Sequence, residues 1–158
     1  MTPLTPVLSF ALGFLAGLRS MTPPAVVAWA TRFGWLHLDG TPLAFLGTAA
    51  ARYVLGVLML GELIADKLPF TPSRTRLGPF AGRIVAGGLA GAGLMAGSGH
   101  SLGVGAVTGA LGAVAGTLGG YRARTGLVRR LNVPDFVIAL AEDIVAVGGA
   151  LLIVSAQR

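Results

Sequence analysis

The chain alternates long apolar stretches with short polar turns, and two of the stretches carry acids inside them. Tyr53 to Pro69, YVLGVLMLGELIADKLP, holds Glu62 and Asp66 near its end. Side chains four apart stack along a 3.6-residue turn, so the two carboxylates share one helix face. Pro134 to Ala156, PDFVIALAEDIVAVGGALLIVSA, places Glu142 and Asp143 in a run otherwise suited to hydrocarbon. The pattern L-x-E-x-I recurs as Leu60, Glu62, Ile64 and Leu140, Glu142, Ile144.

In order, Leu4 to Leu18 reads as an apolar helix with Gly13 and Gly17 in G-x-x-x-G spacing, closed by the turn Arg19 to Pro24. Pro24 suits the first turn of a new helix. Ala25 to Leu36 is short for a span, so 24–38 is expected to be tilted or re-entrant. His37 to Thr41 is a turn, and one long helix is expected from Pro42 through Asp66, with Arg52 snorkelling or finding a partner. Lys67 to Pro79, with Pro69, Pro72, Arg74 and Arg76, reads as a solvent-facing loop. Phe80 to Gly120 is glycine-rich and breaks at Gly97 to Ser101, which predicts two helices and a tight turn. Within it Gly105 and Gly109, then Gly112, Gly116 and Gly120, recur every four residues, a glycine-zipper stripe along which another backbone can approach closely. Packing inside the protomer is preferred over a homo-oligomer interface. Tyr121 to Val133 reads as a second basic loop, with Asn132 as N-cap of the last helix and Asp135 at its positive end.

Composition then fixes the class. With 54% hydrophobic and 11% charged residues and a mean hydropathy of +0.78, the chain departs from soluble domains toward an all-α, polytopic transmembrane bundle. Its 158 residues, at about 20 per span, allow five to six membrane segments in a single domain over 1–158. The first run lacks a basic n-region and an A-x-A site, so it reads as a retained span. The 12 Lys and Arg against 6 Asp and Glu would raise nucleic-acid binding in a soluble protein. Here they cluster between apolar runs, as the positive-inside rule predicts, so the expected partner is the lipid bilayer and not nucleic acid. Absence of cysteine removes disulfides and thiolate chemistry. His37 and His100 lie in turns without ligand spacing, so no metal or cofactor is expected. G-x-G patterns such as Gly103 to Gly105 follow no strand, which removes a nucleotide-binding reading.

Placing the basic loops 67–79 and 122–133 in the cytoplasm puts the Arg19 turn on the same side and the C-terminus outside, in a bacterial inner membrane. Glu62 and Glu142 then lie about 10 to 12 Å in from cytoplasmic helix ends. Carboxylates at that depth need partners or water. The expected polar cluster is Arg19, Glu62, Asp66, Arg83, Arg122, Glu142 and Asp143. It is either a static ion-pair network or a polar pocket for a proton or cation. Gly13 to Thr22 and Gly116 to Thr125 both match G-x-L-x-G-x-R-x-x-T, which suggests half-repeats over 1–69 and 80–158, each giving an Arg and a Glu to one site.

Gly17 to Ala25 (GLRSMTPPA), Gly61 to Pro69 (GELIADKLP), the Gly82-Arg83 pair, Pro134-Asp135 and Ala141 to Asp143 together resemble the membrane proteins grouped as domain of unknown function 4126. The resemblance covers nearly the whole chain. It implies a small bacterial-type integral membrane protein and brings no activity, substrate or catalytic residue. Three functions follow from the residues: a small transporter or channel using the acidic cluster, then a structural or partner-binding membrane subunit, then a membrane enzyme acting on lipid or phosphorylated substrates.

Overall fold

The computed structural model describes residues 4–68 and 76–157, and within them the fold is all helix. The helices are α1 (Leu4–Leu18), α2 (Thr22–Arg32), α3 (Ala49–Ala65), α4 (Leu77–Gly97), α5 (Leu102–Leu131) and α6 (Asp135–Ser155). The last three are long and apolar enough to cross a membrane.

Local chemistry sets the boundaries. Pro23 and Pro24 occupy the first turn of α2, where a missing N–H costs nothing, and Gly34, at φ 71°, follows its end. The helix expected from Pro42 to Asp66 starts later. Ala44–Gly47 forms a 3₁₀ turn, and Thr48 caps α3 by accepting the Ala51 amide at 3.2 Å. Arg52, one turn in, donates to the Gly47 carbonyl at 2.6 Å. The glycine-rich tract divides as expected, α4 turning through Gly99 (φ 73°) into α5.

The second basic loop is a correction. Residues 122–131 continue α5, because Arg, Leu and Val propagate a helix and no proline intervenes before Pro134. Asn132 is therefore the left-handed cap closing α5, at φ 50°, and Pro134 stands at the N-cap of α6. Residues 69–75 of the first basic loop lie outside the described residues.

Contacts between elements fix the direction of each helix. Gly13 and Gly17 of α1 meet Gly109 and Gly116 of α5 in parallel, while Gly87 and Gly91 of α4 meet Gly109 and Gly105 in antiparallel order. At these glycines a Cβ would collide with backbone of the facing helix, so three backbones converge where side chains would hold them apart. Ser9 donates to the Gly105 carbonyl at 3.1 Å and accepts from Thr108 at 2.9 Å, adding hydrogen bonds across α1 and α5. Val27 and Leu36 lie against Gly93 and Gly97, so the chain after α1 runs back along α4. His37 ends that passage by donating its amide to the Gly97 carbonyl at 3.2 Å. The apolar core of Leu12, Val27, Leu36, Leu46, Leu94 and Val154 fills the space around this hairpin. By contrast α3 has no buried residue; Leu55 and an edge contact between Tyr53 and Trp29 are among its apolar ties.

Candidate functional site

The turn between α1 and α2 is half-buried at Ser20 and Met21 and flanked by buried residues. Arg19, Thr22, Pro23 and Pro24 are all inaccessible to solvent. Arg19 reaches Ala139 and Asp143, the fifth and ninth residues of α6. At 1.5 Å per residue that sets the Arg19 guanidinium about 6 to 12 Å below the start of α6. The hairpin tip is therefore partly withdrawn from solvent, and its backbone groups find partners within the protein.

Two side chains from other helices supply them. Arg83 of α4 donates to the carbonyls of Gly17 and Leu18 at 2.7 and 2.8 Å, placing a cation on the negative end of α1. Glu62 of α3 accepts the Ser20 amide at 2.8 Å, the Ser20 hydroxyl at 2.6 Å and the Met21 amide at 2.8 Å, placing an anion on the positive end of α2. Arg83 and Glu62 lie 3.7 Å apart, closing the turn between opposite charges.

Arg19 anchors the rest. Its guanidinium pairs with Asp66 of α3 and, at 2.6 Å, with Asp143 of α6, and it donates to the Ala139 carbonyl at 3.4 Å. The Nε to Oδ1 approach to Asp143 is close but poorly aligned for a hydrogen bond, so it is an ion pair. Lys67 holds the other Asp143 oxygen at 2.7 Å. Arg124 of α5 joins Glu142 at 3.2 Å, Asp66 at 3.4 Å and Asp135, whose Oδ1 lies 2.7 Å from its Nε. The side chains of Glu62, Asp66, Glu142 and Asp143 are 8 to 15% exposed. The buried Thr22 hydroxyl has no hydrogen-bond partner among the described residues.

Six of the seven side chains expected in the cluster from sequence are thus brought together: Arg19, Glu62, Asp66, Arg83, Glu142 and Asp143. Arg122 is the exception. It is exposed on α5, and Arg124, two residues on, turns inward instead. Because 122–131 is helical, a two-residue step changes the face by about 200°. Arg124, Lys67 and the Asp135 pairing were missed. The signal for Arg124 lay in its spacing from Gly120, four residues earlier, which packs near Glu142. Among the described residues no three His, Cys, Asp or Glu side chains are grouped so as to hold a metal ion.

No curated protein and no solved structure matches the chain. The family model described as Domain of unknown function (DUF4126) matches residues 7–156, nearly the full length, so the chain belongs to that family.

Proposed function

We propose that the protein is a small transporter or channel for a proton, small ion or small solute. In this reading it crosses a bacterial inner membrane with five to six segments, α1 and α2 forming a re-entrant hairpin. The observation that carries this reading is the hairpin tip, a half-buried break flanked by the buried Arg19 and Thr22 and held by charged side chains of α3 and α4. Irregular backbone at membrane depth is tolerated where it is enclosed by protein or lines a cavity, and ionisable groups at such breaks mark ion and substrate paths. Here the break is closed by Glu62 from α3, a helix with no buried residue of its own.

Opening follows from the same contacts. Protonation or cation binding at Glu62 or Asp66 weakens attraction to Arg19, Arg83 and Arg124 and releases the end of α3 from Ser20 and Met21. Glu142 and Asp143 on α6 then hold Arg124 and Arg19. All the cationic groups named face one end of the bundle, with Lys67 and Arg124 reaching across it, and that end is cytoplasmic under the positive-inside rule.

A second reading has its own support. Each charged side chain of the cluster has an opposite charge within salt-bridge distance, the arrangement of a structural subunit whose register is fixed by ion pairs. Flux in vesicles separates the two. Purified protein reconstituted in vesicles carrying a pH-sensitive dye should dissipate an imposed proton or potassium gradient faster than empty vesicles, and Glu142→Gln should slow this at least tenfold. Flux equal to that of empty vesicles across proton, sodium and potassium gradients supports the structural reading.

A further inference from the structure

Arg122, left outside the ion-pair cluster, lies above a second feature that the cluster does not use. Between α1 and α6 runs a groove of about 420 Å³ lined by Phe10, Phe14 and Leu15 on one side and Val145, Gly149 and Ile153 on the other. No polar side chain lines it. Val145 to Ile153 covers eight residue steps, about 12 Å along the helix axis. The Phe14 ring closes toward α5 at Gly119. Arg122 follows Gly119 by three residues, so it sits one turn further toward the charged end on the same face of α5.

The charge at that end is uneven. Glu62, Asp66, Asp135, Glu142 and Asp143 are each engaged with Arg19, Lys67, Arg83 or Arg124. Arg122, Arg129 and Arg130 are exposed on α5 and pair with none of these acids. α5 also runs past Asp135, the first residue of α6, so its last turns carry this excess positive charge beyond the apolar spans. An apolar channel about as long as most of one leaflet's hydrocarbon, with a guanidinium that pairs with none of these acids beyond its end, matches one ligand chemistry: an acyl chain joined to an anionic headgroup.

We propose that the groove between α1 and α6 holds an acyl chain of an anionic phospholipid whose headgroup phosphate pairs with Arg122, with Arg129 and Arg130 adding to the attraction. The proposal rests on the membrane placement of α5 and α6 but not on transport. Phosphatidylglycerol is the probe, and phosphatidylcholine the zwitterionic control.

The experiment is native mass spectrometry and thermal unfolding of the full chain in nanodiscs of phosphatidylcholine with and without phosphatidylglycerol. The parent should retain phosphatidylglycerol in preference and gain several degrees of thermal stability from it. Arg122→Gln should lose about fivefold in that retention while unfolding at the parent temperature in pure phosphatidylcholine. Val145→Trp, which fills the groove from an exposed position, should lower retention of both lipids. Arg32→Gln, on α2 away from the groove, should match the parent. Equal retention of the two lipids by the parent, or parental retention in Arg122→Gln, overturns the proposal. Full displacement by inorganic phosphate also overturns it, because a free-anion site needs no acyl chain. A dimer that Val145→Trp dissolves overturns it in favour of a second copy in the groove. Failure to insert into nanodiscs removes the membrane placement itself and so is distinguishable from loss of lipid selectivity.

Discussion

Glu62 takes both hydrogen-bond donors of Ser20, the amide at 2.8 Å and the hydroxyl at 2.6 Å, so one carboxylate from α3 closes the entry to α2. With the Met21 amide it accepts three donors. A glutamine has one acceptor oxygen where the carboxylate has two, and its NH₂ group faces donors. Glu62→Gln is therefore expected to lower the thermal unfolding temperature by several degrees, whereas the pairing with Asp66 one turn away, read from sequence as a hydrated pocket, suggests that Gln is tolerated. Unfolding in detergent, followed by circular dichroism, checks this, and an unchanged midpoint would show that water readily replaces the lost contacts.

Arg19 is the cation on which two acids from different helices depend. Arg19→Met leaves Asp66 and Asp143 near the bundle interior without their shared partner, a loss of about 3 to 5 kcal/mol. Arg19→Lys should recover part of it, because one ammonium serves a single carboxylate better than two. Equilibrium unfolding of the three proteins measures both steps. Equal stability of Arg19→Met and the parent would remove Arg19 as the anchor.

Arg122 and Arg124 test the helical register of the charged end. Arg124→Gln should destabilise the fold, since Glu142, Asp66 and Asp135 share its guanidinium. Arg122→Gln should leave unfolding in zwitterionic lipid unchanged. The reverse ranking would mean that α5 ends near Tyr121.

The glycines give a graded series. At Gly116 a Cβ would fall inside the contact distance of the Phe14 carbonyl, and backbone there has no soft atom to move. Gly116→Ala should cost several kcal/mol or prevent assembly, as overpacking against backbone does in tight cores. At Gly61, on the exposed face of α3, a Cβ meets nothing within 4 Å. Gly61→Ala should be neutral or raise stability by up to about 1 kcal/mol through helix propensity. Size-exclusion profiles and melting curves of the pair decide it.

Part of this was legible in the chain because charge withdrawn from water is costly and must find partners. Four acids in two apolar runs, with Arg19 and Arg83 at helix ends, announced a cluster before any coordinates. The glycine spacing of Gly105, Gly109, Gly112 and Gly116 likewise announced close backbone approach, here to α1 and α4 of the same chain. Arg124 was hidden because four arginines between Arg122 and Arg130 resemble a loop by composition, while propensity alone carries the helix to Leu131. The 3₁₀ turn before Thr48 was hidden for the opposite reason. Ala44 to Gly47 is apolar enough to continue a helix, and only the Thr48 side chain reveals where α3 starts. The burial of Arg19 and Thr22 on either side of the α1–α2 turn depends on tertiary packing, a relation no local pattern encodes.

The central claim is that charge rather than apolar packing fastens the end of α3, and an interhelical distance reads it directly. Ile64 on α3 and Ile144 on α6 are 66% and 73% exposed, so spin labels there disturb no core. Pulsed dipolar spectroscopy in nanodiscs should give a single narrow distance for the otherwise unaltered protein. The double substitution Glu62→Gln with Asp66→Asn should broaden the distribution and shift it to longer distances, in protein that still melts cooperatively. A distribution in the double variant indistinguishable from the parent would contradict the claim, since α3 would then be held in place by something other than its acids.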